Sequence, residues 1–141
     1  MAHAGQTIEN PATGERVTFV RTAADTGGEL LELELVWPHQ GRRAAEHVHP
    51  GMEERYEVLS GTAAFRIAGE ECTAGAGDVV TVPPNTAHLA WNPTPEPVRL
   101  RVEFRPALRW EEFVERLFAG REPVRELMRE FRREVAPPPS P

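Results

Sequence analysis

Two histidines separated by a single residue stand in the stretch GRRAAEHVHPGMEERYEVLSG, residues 41–61. On a β-strand, residues i and i+2 share a face, so His47 and His49 can aim both rings one way while Val48 points the other. Pro50-Gly51 marks a turn. After it, Glu54, Tyr56 and Val58 repeat the same period on the next strand. Two ring nitrogens and one carboxylate oxygen arriving from adjoining strands are the beginnings of a site for a divalent transition metal. A second stretch, GDVVTVPPNTAHLAWN (77–92), brings a third imidazole. There a turn at Gly77-Asp78 precedes a strand over Val79–Val82, Pro83–Thr86 form another turn, and His88 opens a strand that carries Ala90 and Asn92 on its own face.

These two stretches resemble the paired motifs of the cupin superfamily. The first motif fits as Gly41, His47, His49, Glu54 and Gly61, and the second as Gly77, Pro83, Asn85, His88 and Asn92. Asn85 stands where the family has glycine, and Asn is the non-glycine residue that best tolerates a positive φ. The resemblance covers residues 29–105. It implies an all-β cupin jelly-roll β-barrel holding one metal ion on His47, His49, Glu54 and His88. By ligand type, three neutral imidazoles and a carboxylate suit Fe, Mn, Co, Ni, Cu or Zn. Glu53 is an alternative ligand, because the family allows either spacing; strand parity and the six residues up to Gly61 favour Glu54. Tyr56 shares the inward face and is the candidate catalytic residue, with a barrel-wall aromatic as the plainer alternative. Asn92 is structural by family role, and Trp91, of opposite parity, packs outside.

The implied activity is a metal-dependent, dioxygenase-like oxidoreductase acting on a small organic molecule that can chelate the metal. A non-redox isomerase or epimerase would use the same ligands, and a non-catalytic small-molecule or metal-binding cupin would need no more. Family resemblance also implies a homodimer.

The elements that must position these groups follow from pattern. Residues 1–28 form an N-terminal arm, with a short strand at Val17–Arg21 and a turn at Thr26–Gly28. ELLELELVW (29–37) alternates, with Leu31, Leu33 and Leu35 on one face and Glu32 and Glu34 on the other. Residues 62–74 read as a hairpin turning at Gly69, with Cys72 a half-buried small hydrophobe. VRLRVEF (98–104) alternates again. About eight or nine short strands with no helix between them suggest a sandwich or barrel.

The character then changes over 106–135. Trp110, Phe113, Val114, Leu117 and Phe118 keep helical spacing, and Gly120 is a stop. Pro123 suits a first helical position, and Val124, Leu127, Met128 and Phe131 form a second stripe. Glu122–Arg125, Glu126–Arg129 and Glu130–Arg133 are i, i+3 charge pairs on the wet side of that second helix. Two short C-terminal α-helices are therefore expected, then a disordered proline-rich tail over 136–141.

Composition bounds the rest. The 141 residues and 40% apolar content fit one globular domain. A net charge of −6 argues against nucleic acid as partner, because neutralising phosphates needs a basic face. All 16 basic residues are arginine. No apolar run reaches membrane-spanning length, no secretory leader is evident, and the lone Cys72 allows no intrachain disulfide. The default expectation is a cytoplasmic location.

Overall fold

The computed structural model describes residues 2–42 and 44–139. Among them the chain forms ten strands and three short helices. A six-stranded sheet runs β1 (Thr7–Glu9), β2 (Arg16–Arg21), β3 (Leu31–Trp37), β10 (Val98–Arg105), β5 (Glu53–Ser60) and β8 (Val79–Val82) in that spatial order. A four-stranded sheet runs β4 (Gly41–Arg42), β9 (His88–Asn92), β6 (Thr62–Ile67) and β7 (Glu70–Gly75). Every pairing is antiparallel. This is the expected all-β jelly roll. Among the described residues, no helix is long and apolar enough to cross a membrane.

Side-chain alternation decides which faces meet. On β10, Val98, Leu100, Val102 and Phe104 are buried, and on β5 Glu54, Tyr56 and Val58 are. The apolar members of these pack with Val17, Phe19, Leu31, Leu33, Ala63 and Phe65 into one core. Burying a side chain of this size contributes roughly 1.5–3 kcal/mol.

The N-terminal arm is more structured than expected. β2 pairs with β3 along most of its length, β1 adds the sheet edge, and a one-turn helix α1 (Ala23–Thr26) lies between β2 and β3. A capping box starts α1: Thr22 Oγ1 accepts from Asp25 N, and the Asp25 carboxylate accepts from Thr22 N. Glu32, expected on a wet face, is buried beneath two arginines, with Arg21 Nε at 2.6 Å and Arg101 Nε at 3.2 Å. Cys72, expected half-buried, is exposed.

Helices α2 (Trp110–Ala119) and α3 (Val124–Glu130) follow β10. Gly120 ends α2 in the left-handed conformation, as expected, whereas Pro123 caps α3 rather than opening its first turn. In place of the charge pairs expected along α3, Glu122 before it and Glu130 at its end pair with Arg116 of α2. Arg116 reaches both Glu122 (2.6 Å) and Glu130 (2.7 Å), and its guanidinium lies over the Phe131 ring. Ala136, assigned to the tail by sequence, is paired with Val48 through two main-chain hydrogen bonds of 2.9 and 3.0 Å.

Two turns of the motifs use the left-handed region. Asn85 adopts φ +58°, the conformation inferred for it from sequence. Gly61 has φ +81°, and a Cβ there would lie 2.5 Å from the Pro97 carbonyl oxygen. Gly61→Ala meets both obstacles, since the conformation alone costs about 1–2 kcal/mol and the backbone must move besides. A urea midpoint that does not fall would contradict this account.

Candidate metal centre

The two motif stretches do bring their histidines together. His47 and His88 face each other in an isolated antiparallel bridge, with His47 N to His88 O at 3.0 Å and His88 N to His47 O at 2.9 Å. His47, Val48 and His49 therefore keep extended alternation, although only this bridge and that of Val48 to Ala136 replace the regular strand expected there. Ring centroids stand 5.0 Å apart for His47–His49, 4.5 Å for His47–His88 and 5.1 Å for His49–His88. The three rings offer nitrogen atoms that all lie within 4.8 Å of one another, so they could hold a metal ion. Glu54 reaches the same point from β5. Its Oε1 lies 3.0 Å from His88 Nε2 and 3.3 Å from His49 Nε2. His49, His88 and Glu54 are buried and His47 is half-buried. Glu53, the alternative on the other parity, is half-buried on the opposite side of β5.

The other ring nitrogens explain the aim of each imidazole. His47 Nδ1 lies 2.8 Å from Ala45 O, His88 Nδ1 2.8 Å from Thr86 O, and His49 Nδ1 2.8 Å from Glu134 O. A carbonyl can only accept, so Nδ1 must carry the proton in all three rings. A neutral ring then presents a bare lone pair at Nε2. Two such lone pairs directed at a carboxylate oxygen repel unless a proton or a metal cation lies among them. The donor set thus fits a divalent transition metal: imidazole nitrogens and one carboxylate oxygen, with tautomers fixed by outer hydrogen bonds.

Without a metal, the electrostatics pull in opposite directions. Burial lowers the His47 pKa to about 4, and the neighbouring His49 and His88 rings add to that effect. Burial also opposes a charge on His88, but the hydrogen bond and charge of Glu54 outweigh it and raise the pKa. Burial would raise the Glu54 pKa, yet His49 and His88 hold the carboxyl well below the usual carboxylate range. The charged forms of Glu54 and His88 thus favour each other.

A cavity of about 450 Å³ opens beside these groups. His47, His49 and Glu54 line it at one end, with Tyr56 and the small Ala90 close by in the wall. Tyr56 is buried and packs edge-on against Phe65 at 4.9 Å. Asn92 does not line the cavity. Its amide donates to Glu96 O (2.7 Å) and Trp37 O (3.3 Å) and its oxygen accepts from Thr94 N, a structural task as expected.

One participant has no signature in the sequence. Glu134 contributes its main-chain carbonyl to His49, while its buried carboxylate accepts from Arg109 N at 3.4 Å, beside the start of α2. Only the pairing of residues 134–136 against Val48 and His49 reveals it.

Two outcomes are expected. Shortening the chain after Arg133 removes six hydrogen bonds and the buried Glu134 and Val135, and should cost at least about 3 kcal/mol in urea unfolding; an unchanged midpoint would show the segment to be idle. In metal-free protein, the His47 ring should remain neutral from pH 8 to pH 5 by NMR titration. Its folded pKa is depressed, so its contribution to stability is present above the unfolded value and is lost as pH falls toward 4.

The comparisons with known proteins agree with this architecture. The RmlC-like cupin of Shewanella frigidimarina superposes with a TM-score of 0.63 at 22% identity, over 79% of this chain and 94% of that one. A cupin-superfamily sugar phosphate isomerase from Silicibacter pomeroyi gives 0.59 at 17% identity, over 71% and 70%. KdgF from a Halomonas species gives 0.57 at 20% identity, over 66% and 79%. Identities this low speak for shared fold alone. No curated protein matches the sequence significantly. The Cupin domain family model matches residues 33–104, half of the chain and both histidine-bearing stretches, and the chain belongs to the cupin family.

Proposed function

We propose that His47, His49, His88 and Glu54 hold one divalent transition metal ion, and that the protein oxidises a small organic molecule in a dioxygenase-like reaction. The observation that carries this reading is the set of three Nδ1–carbonyl hydrogen bonds, which leaves three Nε2 atoms and one carboxylate facing one another. A bound metal would supply a Lewis acid and a redox centre able to take up substrate or O₂.

The chain's own residues do the remaining work. The carbonyls of Ala45, Thr86 and Glu134 hold the rings in the metal-binding tautomer. Burial of His49, His88 and Glu54 keeps water from competing for them. Tyr56, on the wall beside Glu54, is the group we assign to hydrogen-bond the ligand. The open space left by Ala90 admits that ligand next to the imidazoles.

Oxidation is favoured over isomerisation or epimerisation by what the described lining holds. A proton shuttle across a substrate needs a free acid–base pair. Apart from the proposed ligands, the titratable groups in the described lining are Tyr56, Glu15 and Glu46; Glu15 is bound to the Trp37 indole at 3.0 Å and Glu46 faces Arg66 Nε at 3.9 Å, which leaves Tyr56 rather than a pair.

Protein purified without a histidine tag should carry about one equivalent of a first-row transition metal by elemental analysis. His49→Ala should weaken metal binding at least tenfold, and unchanged metal content would end the ligand assignment. With metal loaded, a catechol or β-diketone should drive O₂ consumption in an oxygen electrode. Loaded protein that binds such compounds without consuming O₂ would instead support the binding reading.

A further inference from the structure

The walls of the cavity point to the kind of molecule that enters it. Much of the wall is built from the C-terminal helices, running from Trp110 beside His49 through Phe113, Leu117 and Phe118 of α2 to Met128 of α3. Leu33, Leu35, Val17 and Phe104 of the six-stranded sheet line the cavity with them. The aromatic rings form a continuous run leading off the centre. His49 meets Trp110 edge-on at 4.8 Å, and Trp110 stacks on Phe113 at 4.6 Å with 16° between planes. Phe104 closes the corner, 5.6 Å from His49 and 5.4 Å from Trp110.

Polar groups are few and mostly engaged. Asn10, Thr13, Glu15 and Glu46 line the cavity too, and none of its described lining residues is cationic. Asn10 Oδ1 accepts from Ala12 N, Thr13 Oγ1 accepts from Glu15 N, and Glu15 accepts from Trp37. A buried hydroxyl left without a partner costs about 1–3 kcal/mol. A polyhydroxylated sugar would bring several such groups against hydrocarbon, and a phosphate would meet carboxylates. An apolar body gains instead, at roughly 25 cal/mol for each Å² withdrawn from water. The volume, about 450 Å³, is within the range of small-molecule sites.

We propose that the cavity takes a ligand with a small oxygen-donor head and an uncharged, hydrocarbon-rich, planar body lying under α2 and α3, and that it excludes phosphorylated sugars. The head rests on the metal reading above; the body rests on the walls alone.

Isothermal titration separates the two. 2-Naphthol, which has the body without a chelating head, should bind EDTA-stripped protein, and glucose 6-phosphate should not bind stripped or metal-loaded protein. 2,3-Dihydroxynaphthalene should bind at least tenfold tighter than 2-naphthol when metal is loaded and about equally when it is not. Leu117→Arg should weaken 2-naphthol at least tenfold without changing metal content, and Met128→Gln, on the half-buried side of α3, should weaken it about threefold if the first variant folds poorly. Failure of 2-naphthol to bind, or tighter binding of glucose 6-phosphate, would overturn the inference and leave the metal reading standing. Normal 2-naphthol binding with no metal-dependent gain for the diol would support the apolar body and count against the metal reading.

Discussion

Three imidazoles crowd into one buried space because each gives its Nδ1 proton to a main-chain carbonyl. Those bonds satisfy the one donor that a neutral ring must place somewhere, and leaving it unpaired would cost about 1–3 kcal/mol per ring. They also turn the lone pairs inward. Two of the three are local: the carbonyl comes from two residues before the histidine, Ala45 for His47 and Thr86 for His88. The loop entering each histidine segment thus carries its own lock. The third lock comes from Glu134, far along the chain, and it makes the centre depend on the C-terminal helices.

Much of this was legible because the sheets obey a period of two. Parity alone put Glu54, Tyr56 and Val58 on the inner face of β5, and they are the buried residues of that strand. Asn85 announced a left-handed turn, and the turn is there. What escaped was non-local. β2 lies beside β3 in the large sheet, yet the arm containing it is rich in turn residues and shows no long alternation. The arginines of the C-terminal helices have acidic neighbours at helical spacing, but the shared partner Arg116 sits on the other helix. Glu134 acts through its carbonyl, which every residue possesses, so no side-chain pattern could mark it.

The helical stripe of α2 illustrates a different ambiguity. Helical spacing of apolar residues says that a face is hidden, not what it is hidden from. Phe113 and Phe118 are buried, yet both line open space between the helices and the sheets. Interiors are ordinarily packed without voids of this size. The same residues therefore build a core on one side and a chamber on the other.

Protein synthesis runs from the amino end, and that order gives the Glu134 bond a temporal meaning. All three imidazoles and Glu54 leave the ribosome well before residue 134 does. The bond from His49 Nδ1 to the Glu134 carbonyl cannot form until residue 134 has been made, so of the three Nδ1 bonds it is the last that can form, and it ties the inner end of the site to the last segment of the chain.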